Sequence, residues 1–206
     1  MTAHVKLLGY ERFGKKGKGN PKAAIKRHVK YIEMDKEHHQ NLPTLFNDRE
    51  DYVDRIDFYQ KINRQPNKGV VAHKLIITMS ENEWREGRID LRELTRETMA
   101  SYQIQNELKL DWVAAIHLDK GHPHVHVVIR GIDNQGKQVG IFKKNLKQLQ
   151  QIAERHRERL SERNKTRELD RGNRALLQEL EQEPSLTPAP EKVREEKEIS
   201  RDDLSR

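Results

Sequence analysis

The stretch HLDKGHPHVH, residues 117–126, decides the fold of this 206-residue chain. An apolar run, WVAAI, precedes it, and the β-branched run VVI follows it. Runs of this kind predict two strands, at 112–117 and 124–130. Because only the short polar loop 118–123 separates them, the two strands are expected to pair as an antiparallel hairpin.

The register of this hairpin places three histidines on one face. Side chains alternate between the faces of a strand, and residues opposite each other on paired strands share a face. With His117 opposite His124 and Ala115 opposite His126, the three imidazoles converge. The other face then carries an apolar set that suits a buried core: Ile116, Val125, Val127 and Ile129.

Three neutral imidazoles that face one point are typical of a divalent-metal site. Because His117, His124 and His126 supply only three ligands, coordination positions remain for water or a substrate oxygen. Asp119 in the loop is either an acceptor for an imidazole N–H or a plain turn aspartate. We expect His122, outside the alternating set, to contact substrate.

The rest of the chain alternates strands and helices. Strands are predicted at 4–10, 70–80 and 138–142. Helices are predicted at 21–33, capped by Asn20, at 90–108 and at 143–182 with an interruption at Gly172, and a short helix at 49–62. These elements predict an α/β (α+β) fold. Its central antiparallel sheet contains the histidine-bearing ribbon, helices cover its outer face, and a helical C-terminal extension follows.

Composition restricts the class of protein and its partners. The chain has no cysteine, so disulfides and thiolate metal sites are excluded and a cytoplasmic location is expected. No stretch has the roughly 20 apolar residues of a membrane span. The net charge is +7, and residues 1–30 hold nine basic side chains against one acid. A basic end on a hydrophilic chain indicates a phosphate-bearing partner such as nucleic acid.

The segment HLDKGHPHVHVVIRG, residues 117–131, resembles the third motif of conjugative relaxases. These enzymes are nucleases of the HUH endonuclease superfamily, and the likeness is to the branch that contains the T-DNA border endonuclease and the relaxases of mobilisable plasmids. VAHKLIITMS, residues 71–80, is similar to their second motif. HVKYIE, residues 28–33, is similar to the first motif, which carries a nucleophilic tyrosine near the end of a basic helix.

The resemblance implies a function. A relaxase uses a divalent ion, here expected to be Mg²⁺ or Mn²⁺, to nick one strand at a transfer origin for conjugation. It forms a 5′-phosphotyrosyl adduct, through Tyr31 here, and Thr78 or Ser80 would contact the DNA. Its partners would be single-stranded origin DNA and accessory relaxosome and coupling proteins. The nuclease domain would span 1–165, followed by a helical extension at 166–182 and a Pro-rich, charged tail at 183–206.

The position of Tyr31 supports its role as nucleophile. Tyr31 lies about 100° or more around its helix from the apolar stripe and beside Arg27. Tyr52 and Tyr59 are alternatives, whereas Tyr10 and Tyr102 are expected to be structural. His73, at the start of a strand, either assists the tyrosine or the metal ligands or is a strand histidine with a structural partner.

We expect a set of basic side chains to bind the DNA backbone: Lys15, Lys16, Lys18, Lys22, Arg27 and Arg130. Two other functions are possible alternatives. A rolling-circle replication initiator or single-strand transposase would share the metal ribbon, but it would carry its tyrosine on a helix after the ribbon, and no tyrosine follows Tyr102. A basic DNA-binding module with a structural metal would need no open coordination position.

Overall fold

The computed structural model describes residues 3–14, 19–34, 45–119 and 121–182. In these segments the strands are β1 His4–Arg12, β2 Val70–Thr78, β3 Trp112–Asp119 and β4 His122–Arg130. They form one antiparallel sheet with the strand order β1–β2–β4–β3. The helices are α1 Pro21–Glu33, α2 Arg55–Arg64, α3 Glu81–Glu86, α4 Leu91–Asn106 and α5 Lys143–Gln182. The predicted fold class is therefore confirmed.

Each face of the sheet carries its own core. On the face of Val125 and Val127, α4 and α5 pack through Leu94, Met99, Tyr102, Leu149, Ile152 and Ala153. On the opposite face, α1 and α2 pack through Ile25, Val29, Ile32, Phe58 and Ile62. Helices α4 and α5 thus cover the face away from the histidines, while α1 and α2 lie on the histidine-bearing side.

Helix α1 is fixed along its whole length. The Asn20 side chain accepts hydrogen bonds from the backbone N–H groups of Lys22 and Ala23, as the predicted N-cap requires. The predicted stripe of Ile25, Val29 and Ile32 is fully buried. Near the other end of the helix, Glu33 forms an ion pair with Arg55 of α2. These contacts hold the helix that carries Tyr31 in one orientation on the sheet.

Three local predictions need correction, and one helix was absent from the predictions. The hairpin loop is shorter than 118–123, because β3 runs to Asp119 and β4 begins at His122. The strand predicted at 138–142 is reduced to an isolated bridge between Ile132 and Gln138, since Asp133 draws the backbone N–H groups of residues 135 and 137 into a turn.

Helix α3 was not predicted, although Ser80 and Glu83 form a capping box at its start. Gly172 does not interrupt α5. A single glycine costs a helix only about 1 kcal/mol, which the flanking helix formers offset.

The chain divides into two compact units, Met1–Glu168 and Leu169–Arg206. The boundary predicted at residue 165 stays a prediction, and the tail predicted at 183–206 lies outside the described residues. Within the described segments, no helix combines the length and the apolar character that crossing a membrane requires.

Candidate metal centre and active site

Three histidines converge on the sheet face that α1 covers. The pairing of β3 with β4 sets His117 opposite His124 and Ala115 opposite His126, so the predicted register is confirmed. Ring centroids lie 5.3 Å apart for His117 and His124, 4.8 Å for His117 and His126, and 5.0 Å for His124 and His126. One ring nitrogen from each lies within 4.8 Å of the others. In the described part of the chain, no other set of potential ligands converges in this way.

Backbone carbonyl groups orient two of these imidazoles. His117 Nε2 is hydrogen-bonded to the carbonyl oxygen of Ile32 at 2.8 Å, and His124 Nδ1 to that of His122 at 2.8 Å. His124 Nε2 then lies 3.3 Å from His126 Nε2. Metal-binding histidines usually direct their second nitrogen at a carbonyl or carboxylate in this manner. The three-histidine cluster, His117, His124 and His126, therefore fits a divalent cation.

Helix α1 places Tyr31 near the cluster, and another histidine of the same helix, His28, contacts both. The His28 ring stacks on that of Tyr31 with centroids 6.4 Å apart and planes 23° apart. The same ring meets His126 edge-on at 6.0 Å. The Tyr31 side chain is 63% exposed, so a substrate can reach it.

His28 is a site residue that the sequence analysis missed. Burial, and after it the positive charge of Lys74, lowers the pKa of His28 to about 4, while Glu11 acts in the opposite direction. Its ring is therefore neutral near pH 7. The available signal was its spacing, because a residue three positions before Tyr31 lies beside it on a helix.

The two hydroxyl residues of the second motif are separated. Thr78 lies opposite His124 on the cluster's face, and its hydroxyl donates to the carbonyl oxygen of Pro123 at 3.2 Å. Ser80 caps α3, with its hydroxyl donating to Glu83 Oε2 at 2.7 Å. Of the two, Thr78 shares the face of the cluster.

His73 does not reach the cluster, and its predicted role is corrected here. It shares the sheet face of Leu75 and Ile77, because alternate residues of β2 point to opposite sides. Its Nε2 is hydrogen-bonded to the carbonyl oxygen of Val139 at 3.0 Å. The structure thus supports the alternative reading of His73 as a buried strand histidine with a structural partner.

The predicted DNA-binding side chains divide into two groups. Arg130 pairs with Asp111 at 3.3 Å and donates to the carbonyl oxygens of Ile132 and Asp133, so its guanidinium is used inside the fold. The Lys22 ammonium donates to the carbonyl oxygen of Asn63 at 2.9 Å. Arg27 on α1 and His122 at the hairpin turn are exposed.

The side chains of four further candidates lie outside what the structure describes. Lys15, Lys16 and Lys18 belong to a segment outside the described residues. Asp119 lies within β3, opposite His122, rather than in a loop. Its side chain is also outside the described part of the chain.

The other tyrosines have different surroundings. The Tyr59 hydroxyl donates to the carbonyl oxygen of Lys26 at 2.7 Å, and burial raises the pKa of Tyr59. Tyr52 is 76% exposed. Its neighbour Asp51 pairs with Arg92 and Arg96 of α4, a helix of the opposite face.

The family model for relaxases of the MobA/VirD2-like type, nuclease domain, matches residues 31–160, well over half of the chain. The chain belongs to this relaxase family. It is therefore a DNA-nicking enzyme, an endonuclease and strand transferase, and the expected resemblance is confirmed. Because the members of this family are enzymes, the alternative function of a non-enzymatic DNA-binding module is excluded.

One solved structure similar to this relaxase is the MobM relaxase domain, of the MOBV, Mob_Pre type, bound to oriT DNA of plasmid pMV158 in a Mn-bound crystal structure. The two chains are 16% identical, with a TM-score of 0.41, over 71% of this chain and 80% of that one. No curated protein matches the chain.

Proposed function

We propose that this relaxase nicks single-stranded DNA at a plasmid or mobile-element transfer origin by transesterification, with Tyr31 as the nucleophile. His117, His124 and His126 would hold Mg²⁺ or Mn²⁺. The observation that carries the proposal is the continuous ring contact from Tyr31 through His28 to His126. It joins the tyrosine to a cluster that fits a cation.

The reaction exchanges one phosphoester bond for another. The Tyr31 phenolic oxygen bonds to phosphorus as its proton leaves to solvent, and the bond from phosphorus to the 3′ oxygen breaks. The 3′ oxygen takes up a proton and becomes a free hydroxyl, while the 5′ phosphate stays on the tyrosine. Because the phosphoester energy is conserved, the same steps in reverse reseal the strand.

The groups around the phosphate have separate roles in this reaction. A divalent cation, when bound, supplies positive charge to the non-bridging phosphate oxygens. The carbonyl oxygens of Ile32 and His122 hold the imidazoles of His117 and His124 in place for it. Exposed Arg27 and Lys30, on the helix of Tyr31, attract neighbouring phosphates.

Its surroundings favour Tyr31 over the other tyrosines. The Tyr59 hydroxyl of α2 already donates a hydrogen bond to the carbonyl oxygen of Lys26 in α1. The raised pKa of Tyr59 also disfavours the phenolate that attacks phosphorus. A rolling-circle initiator or transposase would require a tyrosine after the ribbon, and the chain has none beyond Tyr102. We therefore propose transfer of an origin strand, with relaxosome and coupling proteins as partners in the cytoplasm.

Mass analysis of the DNA-linked peptide tests the proposal. We expect the enzyme, incubated with Mn²⁺ and a randomised single-stranded DNA pool, to form a covalent adduct. After trypsin, the nucleotide should be on the peptide of residues 31–36, which begins after Lys30. Label on residues 50–55 or 56–61 would instead assign the nucleophile to Tyr52 or Tyr59. An absence of adduct would refute the covalent mechanism.

The basic segment of residues 15–18 gives a separate prediction about affinity. Replacing Lys15, Lys16 and Lys18 together with Gln should weaken binding to all single-stranded sequences alike. Each lost phosphate contact removes about 0.7 from the slope of log affinity against log salt on single strands, so the slope should become shallower by about 2. Fluorescence anisotropy across a salt series measures this slope, and an unchanged value would show that these three lysines do not contact DNA.

A further inference from the structure

His28 lies where the nucleophile and the metal cluster meet, yet the proposed reaction gives it no role. The residue sits one helical turn before Tyr31, and its ring contacts both Tyr31 and His126. We propose that His28 is a positioning residue, which holds the Tyr31 ring toward the three-histidine cluster. This inference rests on the proposed role of Tyr31 as the nucleophile.

The backbone beside Tyr31 is already fixed. Ile32, the next residue, is fully buried, and its carbonyl oxygen is hydrogen-bonded to His117 Nε2 at 2.8 Å. Val29, two residues before Tyr31, is fully buried as well. The α1 backbone therefore cannot turn relative to the cluster without breaking these contacts.

The Tyr31 side chain is fixed less firmly than its backbone. It is 63% exposed, so rotation about its side-chain bonds would move the hydroxyl by several ångströms, while in-line attack needs the reacting atoms about 3–3.5 Å apart. The His28 ring stacks on Tyr31 at 6.4 Å, which limits that rotation. The edge-on contact of His28 with His126 then fixes the position of the tyrosine ring relative to the cluster.

Two other roles for His28 fit the geometry less well. The converging ring nitrogens in the described residues come from His117, His124 and His126, so His28 is not one of the ligand set. Its contact with Tyr31 is between two nearly parallel rings, with planes 23° apart, and in the described residues no hydrogen bond joins a ring nitrogen of His28 to the phenol oxygen. The contribution of His28 at this position is therefore an aromatic contact with the Tyr31 ring.

The test compares His28→Ala with His28→Phe on the oligonucleotide to which the wild-type enzyme attaches covalently. We expect His28→Ala to lower the single-turnover rate of adduct formation about 10- to 100-fold, the size of a lost ring contact combined with misplacement of the nucleophile. His28→Phe keeps a ring and should restore the rate to within about threefold. Affinities for Mn²⁺ and for the oligonucleotide should stay within about threefold in both variants, since ligands and phosphate contacts remain.

His156→Ala is the matched control, because it removes an imidazole bonded to Ser101 and Glu97 on the α4–α5 side. Its adduct rate should equal that of the wild type, and thermal unfolding of all three variants reports any loss of stability. A wild-type rate in His28→Ala would overturn the inference. So would equal losses in His28→Ala and His28→Phe, or a loss of Mn²⁺ affinity in His28→Ala.

The failure of the proposed function gives a different result. If Tyr31→Phe still forms the adduct, the nucleophile is another residue and the proposed function fails, whatever His28→Ala does. If Tyr31→Phe is inactive while His28→Ala reacts normally, only the positioning role fails.

Discussion

His124→Ala and His126→Ala should each reduce DNA cleavage in Mn²⁺ by a factor on the order of a thousand, because each would lose a cation that stabilises the transition state by several kcal/mol. Both imidazoles lie in the cluster, with Nε2 atoms 3.3 Å apart, so either change removes one of the three proposed ligands. Affinity for single-stranded DNA should change little, because phosphate contacts with Lys and Arg supply most of it.

Calorimetry with Mn²⁺, a nicking assay and anisotropy separate these effects. The proteins are treated with chelator, and the metal is then restored before each assay. His156→Ala, which removes an imidazole far from the cluster face, serves as the control and should bind Mn²⁺ and cleave normally. Wild-type cleavage by either His124→Ala or His126→Ala after this treatment would disprove the ligand assignment.

Tyr31→Phe should eliminate the covalent adduct and strand cleavage. The expected loss in rate is a factor on the order of 10⁴ or more, because the variant lacks the oxygen that bonds to phosphorus. The ring is preserved, and 63% of the side chain is exposed, so the free energy of unfolding should change by less than about 0.5 kcal/mol. Affinities for Mn²⁺ and DNA should remain, since neither depends on the phenol oxygen.

The other tyrosines of the α2 region are the controls for this result. Tyr52→Phe should behave as the wild type in every assay. Tyr59→Phe should lower the free energy of unfolding by about 1 kcal/mol, since its hydroxyl donates to the Lys26 carbonyl oxygen, but should still cleave. If Tyr31→Phe forms the adduct while either control does not, the nucleophile lies between β1 and β2 but outside α1.

The local pattern of the chain was enough to predict the ribbon and the helix that carries Tyr31. Residues 117–126 fix the register within one hairpin, because strand side chains alternate and the connection is short. The stripe of Ile25, Val29 and Ile32 similarly fixes which side of α1 is buried. Both predictions depend only on neighbours close in sequence, and both are confirmed.

The capping box of α3 shows a local signal that was present and was overlooked. Ser80 and Glu83 have the spacing of a helix start. The similarity of residues 71–80 to a DNA-contacting strand favoured a different role for Ser80. One hydroxyl side chain fits both patterns, and only the position of the following backbone distinguishes them.

Contacts between distant segments were decided by the tertiary structure alone. The face on which His73 lies depends on how β2 pairs with β4, more than fifty residues later, and that pairing turns it away from the cluster.

The approach of α1 to the ribbon has the same origin. It brings His28 to His126 and the Ile32 carbonyl oxygen to His117, 85 residues away in the sequence. A sequence pattern specifies which side of each element is apolar, and thereby which elements form and which faces they bury. Where two buried faces meet is set by the packing of all the side chains together, and the side chains that surround Tyr31 depend on that packing.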